Sequence, residues 1–325
     1  IILAGAGCLA RILFLKFRDL NMLIQMGRLF PNSEREFADR YPDFEDEMLK
    51  FPVMSRAWFE FCETLVLPNE NSQSKIFKNI EIIDVTKQYG CLSIMGPNSR
   101  EHLQRICNED ISNETLPFGF SKKINLGGTE CRLHRITYVG ELGFEIYIPY
   151  NNLEKVFDVV YAKNGKSPVK LAGYHALNSL RMEKGYLHWG HDIGVEENPF
   201  EAGVGFCVNL NKKNPFLGQA ALEEKKKSGL SKRKVNFALS NNDLLIYHNE
   251  PIYFDGKIVG EISSGMYGFY LDKSLGMGYI SNNDSYSIEE MMSHKKFEIE
   301  VAETKYSAEG SINCFYDPGR EKILV

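Results

Sequence analysis

The stretch Arg135-Ile-Thr-Tyr138-Val-Gly140-Glu141-Leu-Gly143-Phe-Glu145-Ile-Tyr147-Ile-Pro149 decides how the rest of the chain is read. Two extended runs flank a Val-Gly-Glu-Leu-Gly centre, whose glycines permit the backbone angles of a tight turn or bulge. Tyr138 stands just before that turn and Glu145 just after it. A flat aromatic and a carboxylate are thereby available to one pocket wall.

Outward from this stretch the pattern is regular. Residues 80–85 and 90–95 are strand-like, Gly96-Pro97 turns the chain, and Asn98 or Ser99 caps a helix carrying Leu103 and Ile106. Two more strands, 121–126 and 130–138, meet at Gly127-Gly128, a hairpin signal. Asn151 or Asn152 caps the next helix, with Leu153, Val156, Phe157 and Val160 at helical spacing. Strand, strand, helix, strand, strand, helix is the order of a split sandwich, so the predicted class is α+β.

Further on, residues 174–184 form a helix packed by Leu177 and Leu180, followed by a loop at Trp189-Gly-His-Asp192 and a turn at 198–203. Phe216-Leu-Gly218 leads into a helix over 220–227, which Gly229 ends. Beyond 233 come short strands at 235–239, 251–253, 258–264, 275–280, 296–302 and 303–308, with a hairpin at Phe254-Asp-Gly256-Lys. These predict a small β-barrel or sandwich. The domain reading is an α+β domain at 80–228, a C-terminal β domain at 229–325, and a poorly matched start at 1–79.

Gly5-Ala-Gly7-Cys-Leu-Ala10 formally fits a dinucleotide fingerprint, but only four residues precede it and no βαβ unit follows, so it reads as chance. Arg11, Lys16, Arg18 and Asp19 break the apolar start well short of the ~20 residues of a membrane span. Residues 31–50 read as an acidic solvated loop and exposed helix, 55–67 as a buried amphipathic segment with Trp58, Phe59 and Phe61, and 68–74 as a polar loop. The chain begins with Ile and reads as a fragment.

At 325 residues the chain is long enough for two domains, and its net charge of −5, without a basic stripe, argues against nucleic-acid binding. Lys225-Lys-Lys227 with Lys232-Arg-Lys234 is the most basic cluster; it reads as a solvated helix end, with a polyglutamate or phosphate contact as the alternative. Seven cysteines without a Cys-x-x-Cys pair suit a reducing compartment with free thiols. His188 and His191 lie in a glycine-bearing loop without a completing ligand set, so no metal site is expected. No Ser or Cys occupies a nucleophile-elbow context.

The chain of motifs Asp84-Val-Thr86, Met95-Gly-Pro97, the stretch 135–149, Ser179-Leu-Arg181-Met-Glu183-Lys-Gly185, Ser263-Ser-Gly265 and Gly278-Tyr-Ile280 resembles the tetrahydrofolate-binding region shared by glycine-cleavage aminomethyltransferases and the sarcosine and dimethylglycine dehydrogenases. It covers roughly the last three quarters of the chain in motif order. The resemblance implies an α+β, aminomethyltransferase-like folate-binding domain followed by a small C-terminal β-barrel. A reduced pterin is a flat, donor-rich heterocycle, best met by an aromatic or aliphatic wall and a carboxylate that accepts two N–H donors side by side. The resemblance assigns the carboxylate to Glu145 and a wall or hydrogen-bonding role to Tyr138. Taken alone, Glu145 is an ordinary outward-facing strand carboxylate. Arg181 is placed near the folate's carboxylate tail or pterin, with pairing to a buried acid as the alternative. Glu141 is included as a cofactor-side residue whose carboxylate can also accept from turn N–H groups.

Two departures stand out. The family's additional arginine one turn before Arg181 is Leu177 here, and no segment resembling Gly-Gly-x-x-x-Asp-Leu-Thr occurs upstream of residue 80. Tyr267-Gly-Phe-x-x-Asp272-Lys273 and Tyr186-Leu-His-Trp189 most resemble sarcosine dehydrogenase. That resemblance implies FAD in a longer parent enzyme, electron-transfer flavoprotein as its partner, a mitochondrial matrix location, and transfer of an N-methyl carbon to tetrahydrofolate. The alternatives are an aminomethyltransferase and the non-catalytic regulatory subunit of pyruvate dehydrogenase phosphatase.

Overall fold

The computed structural model describes the backbones of β1 (Ile2–Gly5), β2 (Arg11–Phe17), β3 (Met48–Val53) and β4 (Ile80–Asp84), and residues 85, 88–161, 169–212, 216, 218–241 and 243–325 in full. The readings made for 31–47, 55–67 and 68–74, and for most of the glycine fingerprint, lie outside the described residues. The chain divides into two compact units: 1–137 with 141–173 and 322–325, and 138–140 with 174–321.

The first unit is built on β1 with β5 (Tyr89–Met95), β6 (Ser121–Leu126), β7 (Thr129–His134), β8 (Gly143–Pro149) and β9 (Lys170–Leu171). Their order is β6-β7-β8-β5-β1-β9. Four residues make a secure strand at β1, contrary to the sequence reading, because it is paired on both sides: antiparallel to β5 and parallel to β9. The next described element is again a strand, β2, which lies between β3 and β4 in a separate sheet.

Period-two alternation sorts the main sheet into two faces. Phe144, Ile146 and Ile148 of β8 join Leu92 and Ile94 of β5 and Leu133 of β7 in one core. Helices α1 (Ser99–Gln104) and α2 (Leu153–Tyr161) cover that face with Leu103, Val156 and Val160. The predicted side-chain cap of α1 does not form; Ser99 Oγ instead donates to the Leu142 carbonyl at 3.2 Å.

β7 also ends earlier than the alternation predicts, at His134 and not Tyr138. The next residue, Arg135, is drawn inward until only 2% of it is exposed. Its guanidinium donates to Asn113 Oδ1 and to the carbonyls of Leu116, Ile323 and Val325, while its backbone still bonds to Phe120 and Gly119.

The second unit carries α3 (Tyr174–Glu183), α4 (Gln219–Ser228), and the strands β10 (Lys232–Leu239), β11 (Pro251–Phe254), β12 (Lys257–Gly268), β13 (Lys273–Ser281), β14 (Lys296–Val301) and β15 (Thr304–Ser311). These six strands close into a barrel, β10-β13-β12-β11-β14-β15, which leaves no free edge. Val235, Phe237, Ile252, Ile262, Ile280 and Phe297 fill it. Close approach of neighbouring strands needs Gly260, where a Cβ would sit 1.8 Å from the Tyr279 carbonyl oxygen. A helix absent from the sequence reading, α5 (Ile288–His294), adds Met291 and Met292 to the same core. Its signal was legible: Ser287 and Glu290 form a capping box.

Candidate functional site

The face of the main sheet opposite the core carries polar groups in register. Ser93 pairs with Glu145, and Glu145 with His134, across β5, β8 and β7. One step along, Cys91 pairs with Tyr147 and Tyr147 with Arg132. Strand alternation puts Glu145 and Tyr147 on the same side, and Tyr147 Oη donates to Glu145 Oε2 at 2.8 Å. The His134 ring meets the Tyr147 ring edge-on with centroids 5.0 Å apart.

Burial sets the electrostatics of this face. Desolvation lifts the Glu145 carboxyl above the ordinary carboxylate range, against the lowering effect of the Tyr147 hydrogen bond. The same desolvation, then the positive charge of Arg132, pushes His134 down to about 3, so its imidazole is neutral at pH 7. The Cys91 thiol and the Tyr147 phenol both rise, first from burial and then from the charge of Glu145. Among the described residues, Glu145 Oε1 accepts no hydrogen bond, while Oε2 is already held. A desolvated carboxylate with one oxygen fixed and one open can receive a donor-bearing heterocycle. The sequence reading missed Ser93, His134 and Tyr147. Only the two-residue spacing from Glu145 to Tyr147 was visible without strand register.

The other residues named from the sequence fall as follows. Glu141 is half-buried in the bend before β8 and belongs to the first unit. Tyr138 belongs to the second unit. Its ring stacks on Tyr186 at 6.0 Å and 8°, and its hydroxyl donates to the Leu187 carbonyl at 2.8 Å. The turn that follows requires Gly140, which has φ +78 and would place a Cβ 2.9 Å from the Lys184 side chain.

Arg181 is committed to a buried network. It pairs with Asp192 at 2.6 Å, both side chains being almost wholly inaccessible. It also donates to Asn178 Oδ1, the Tyr186 carbonyl and Ser264 Oγ. Asp192 accepts in turn from His188 N and Ser263 Oγ. Of the two alternatives read from the sequence, the arrangement is pairing with a buried acid.

Glu183 and Lys184, next on the same motif, are equally buried. Glu183 Oε1 accepts from the backbone N–H of Tyr270 and Leu271, and Lys184 pairs with Asp317 at 2.7 Å. The end of α3 is therefore a polar clamp, with Arg181 and Glu183 bound to the barrel strands and their loop and Lys184 to the segment after β15. His188 and His191 have ring centroids 5.1 Å apart, and no group of three possible metal ligands occurs among the described residues.

Lys234 is the exception in this clamp. Its Nζ is buried, yet its nearest partners are neutral: Asn236 Oδ1 at 2.9 Å and the Gly185 carbonyl at 3.5 Å. Burial is the main cause that depresses its pKa to about 8. The penalty for the buried charge is complete below pH 8 and disappears as both folded and unfolded states deprotonate, above the ordinary value of 10.5. Lys234→Met is therefore expected to raise stability at pH 7 by on the order of 2 kcal/mol, net of the lost hydrogen bond. Urea denaturation at pH 7 and pH 10 checks this: the gain must shrink at the higher pH.

The comparisons with known proteins divide the chain later, between 212 and 232. The GCVT N-terminal domain matches residues 65–212, and the glycine cleavage T-protein C-terminal barrel domain matches 232–317. Mitochondrial sarcosine dehydrogenase of Homo sapiens is 33% identical over 261 residues, 80% of this chain and 28% of that protein. Mitochondrial dimethylglycine dehydrogenase of Homo sapiens is 34% identical over 62% of this chain and 23% of its own length. The chain thus spans about a quarter of the curated relatives it matches first. Among solved structures, the glycine cleavage system aminomethyltransferase T of Bartonella henselae superposes with a TM-score of 0.73, covering 99% of this chain and 87% of that one at 18% identity, a likeness of fold. With its α+β domain and closed six-stranded barrel matching in order, this chain belongs to the aminomethyltransferase-like family of GCVT N-terminal and T-protein C-terminal barrel domains, related to the sarcosine and dimethylglycine dehydrogenases.

Proposed function

We propose that this chain is the folate-binding portion of a sarcosine dehydrogenase-like enzyme, in which tetrahydrofolate accepts a one-carbon unit from an N-methyl group to give 5,10-methylene-tetrahydrofolate. The observation that carries the reading is Glu145: half-buried, held at Oε2 by Tyr147 and, among the described residues, open at Oε1. A pterin ring presents an amino group beside a ring N–H, which a carboxylate meets with two parallel hydrogen bonds. Tyr138, whose ring is held by its stack on Tyr186, is the aromatic residue that the family resemblance assigns to the ligand. Arg181 is held by Asp192 within its own unit, and Glu141 sits in the bend before β8, four residues ahead of Glu145.

Tetrahydrofolate supplies the nucleophilic nitrogens for one-carbon capture; the protein's part is to bind, orient and exclude water. The proposal extends to the whole enzyme as FAD for amine oxidation, electron-transfer flavoprotein as electron acceptor, and the mitochondrial matrix as location. The likeness to two mitochondrial dehydrogenases supports that extension. Among the described residues no helix is long and apolar enough to cross a membrane.

Calorimetric titration of the chain with tetrahydrofolate tests the reading. Saturable binding at one site is the expected outcome. A folded chain that binds no folate overturns it in favour of a protein-binding role like that of the phosphatase regulatory subunit.

A further inference from the structure

The basic cluster at 225–234 is not used by the folate reading, and the structure divides it. Lys225, Lys226 and Lys227 all lie in the last turn of α4, where cations complement the carbonyl end of a helix. Lys232 pairs with Glu197 at 2.8 Å. Of these, Lys226 also converges with Arg233, from a different element, on one pocket of about 360 Å³, together with Phe200, Gly203, Gly205 and Phe206.

Neither of these two cations has a carboxylate partner among the described residues. Arg233 Nη1 donates to the Phe200 carbonyl, which fixes the guanidinium in place, and its other N–H groups meet no protein acceptor among the described residues. Gly203, at φ +80, lies beside the guanidinium: a Cβ there would be 3.7 Å from Arg233 Nη2, an ordinary contact. Phe206 is 82% exposed beside the pocket, although a phenyl ring gains from burial. A protein with a net charge of −5 that leaves two cations unneutralised at one concavity, next to two phenyl rings, has the chemistry of an anion site with an apolar wall.

We propose that this pocket binds a small organic anion with a flat apolar body, of the aryl carboxylate class. The carboxylate meets the fixed guanidinium of Arg233 and the ammonium of Lys226, and the ring lies against Phe200 and Phe206. This site is independent of Glu145.

The test is calorimetric titration of the full chain with phthalate, beside inorganic phosphate and benzyl alcohol. Phthalate is expected to bind at least about tenfold more tightly than either. The exposed substitutions Lys226→Gln and Phe206→Ser, which leave the fold's contacts intact, are each expected to weaken it by about tenfold, and Arg233→Gln by more. Glu145→Gln leaves phthalate binding unchanged. Equal affinity for phosphate, or phthalate binding that survives both Lys226→Gln and Phe206→Ser, overturns the proposal. Loss of phthalate binding in Glu145→Gln would assign the anion to the folate site and overturn it as well.

Discussion

Glu145→Gln is expected to weaken tetrahydrofolate binding by about 100-fold, because an amide turns one of the two acceptors facing the pterin into a donor. Truncating one partner of a desolvated, charge-assisted pair commonly costs about 2–5 kcal/mol, and 100-fold corresponds to roughly 2.8 kcal/mol. Stability should move the other way or not at all, since burial already disfavours the Glu145 anion in the free protein. A residue serving only the fold would lose stability on substitution and leave affinity intact. Calorimetry and urea denaturation on the same variant separate the two; unchanged folate affinity would sink the site assignment. The pH dependence has a definite sign. Because desolvation raises the Glu145 pKa, folate binding should decline on acidification at a higher pH than an ordinary carboxylate would dictate. Tyr147→Phe removes the one hydrogen bond that opposes this rise, and is expected to move the decline further upward.

Local patterns carried much of this fold. All six barrel strands were marked by short apolar runs between turn residues, and the Asp255-Gly256 turn has the positive φ at both positions that a tight hairpin needs. The helix at Ile288–His294 was missed although its capping box was in plain view, because a run of strands set the expectation for what lay between them. The burial of Arg135 was not legible, since its guanidinium answers to Asn113 and to carbonyls nearly two hundred residues away. The candidate site divides along the same line. Glu145 and Tyr138 sit in a motif that can be read locally. Ser93 and His134 join Glu145 only through strand register, and Asp192 joins Arg181 only through tertiary packing. Arg181 and Glu183 at the end of one helix, and Lys184 just after it, are buried and tied to groups of their own unit that only tertiary packing brings near.

That clamp gives the second large effect. Asp192→Asn leaves the Arg181 guanidinium buried without its counter-charge, and the expected loss of stability is about 3–5 kcal/mol. Arg181→Met strands the Asp192 carboxylate and should cost a similar amount, softened by the donors from His188 N and Ser263 Oγ that remain. The double variant Arg181→Met with Asp192→Asn removes both charges together, so its loss should fall well below the sum of the single losses. Urea denaturation of the four proteins closes the cycle. Additive losses would mean that the two side chains do not act as a pair. The same variants decide how Arg181 contributes to function. If it acts only by fixing the loop at 188–192, the folded fraction of Arg181→Met binds tetrahydrofolate within about threefold of wild type, whereas a direct folate contact would cost about tenfold or more. Four guanidinium hydrogen bonds already directed at protein acceptors favour the first result, since a ligand could recruit this arginine only by breaking a buried ion pair.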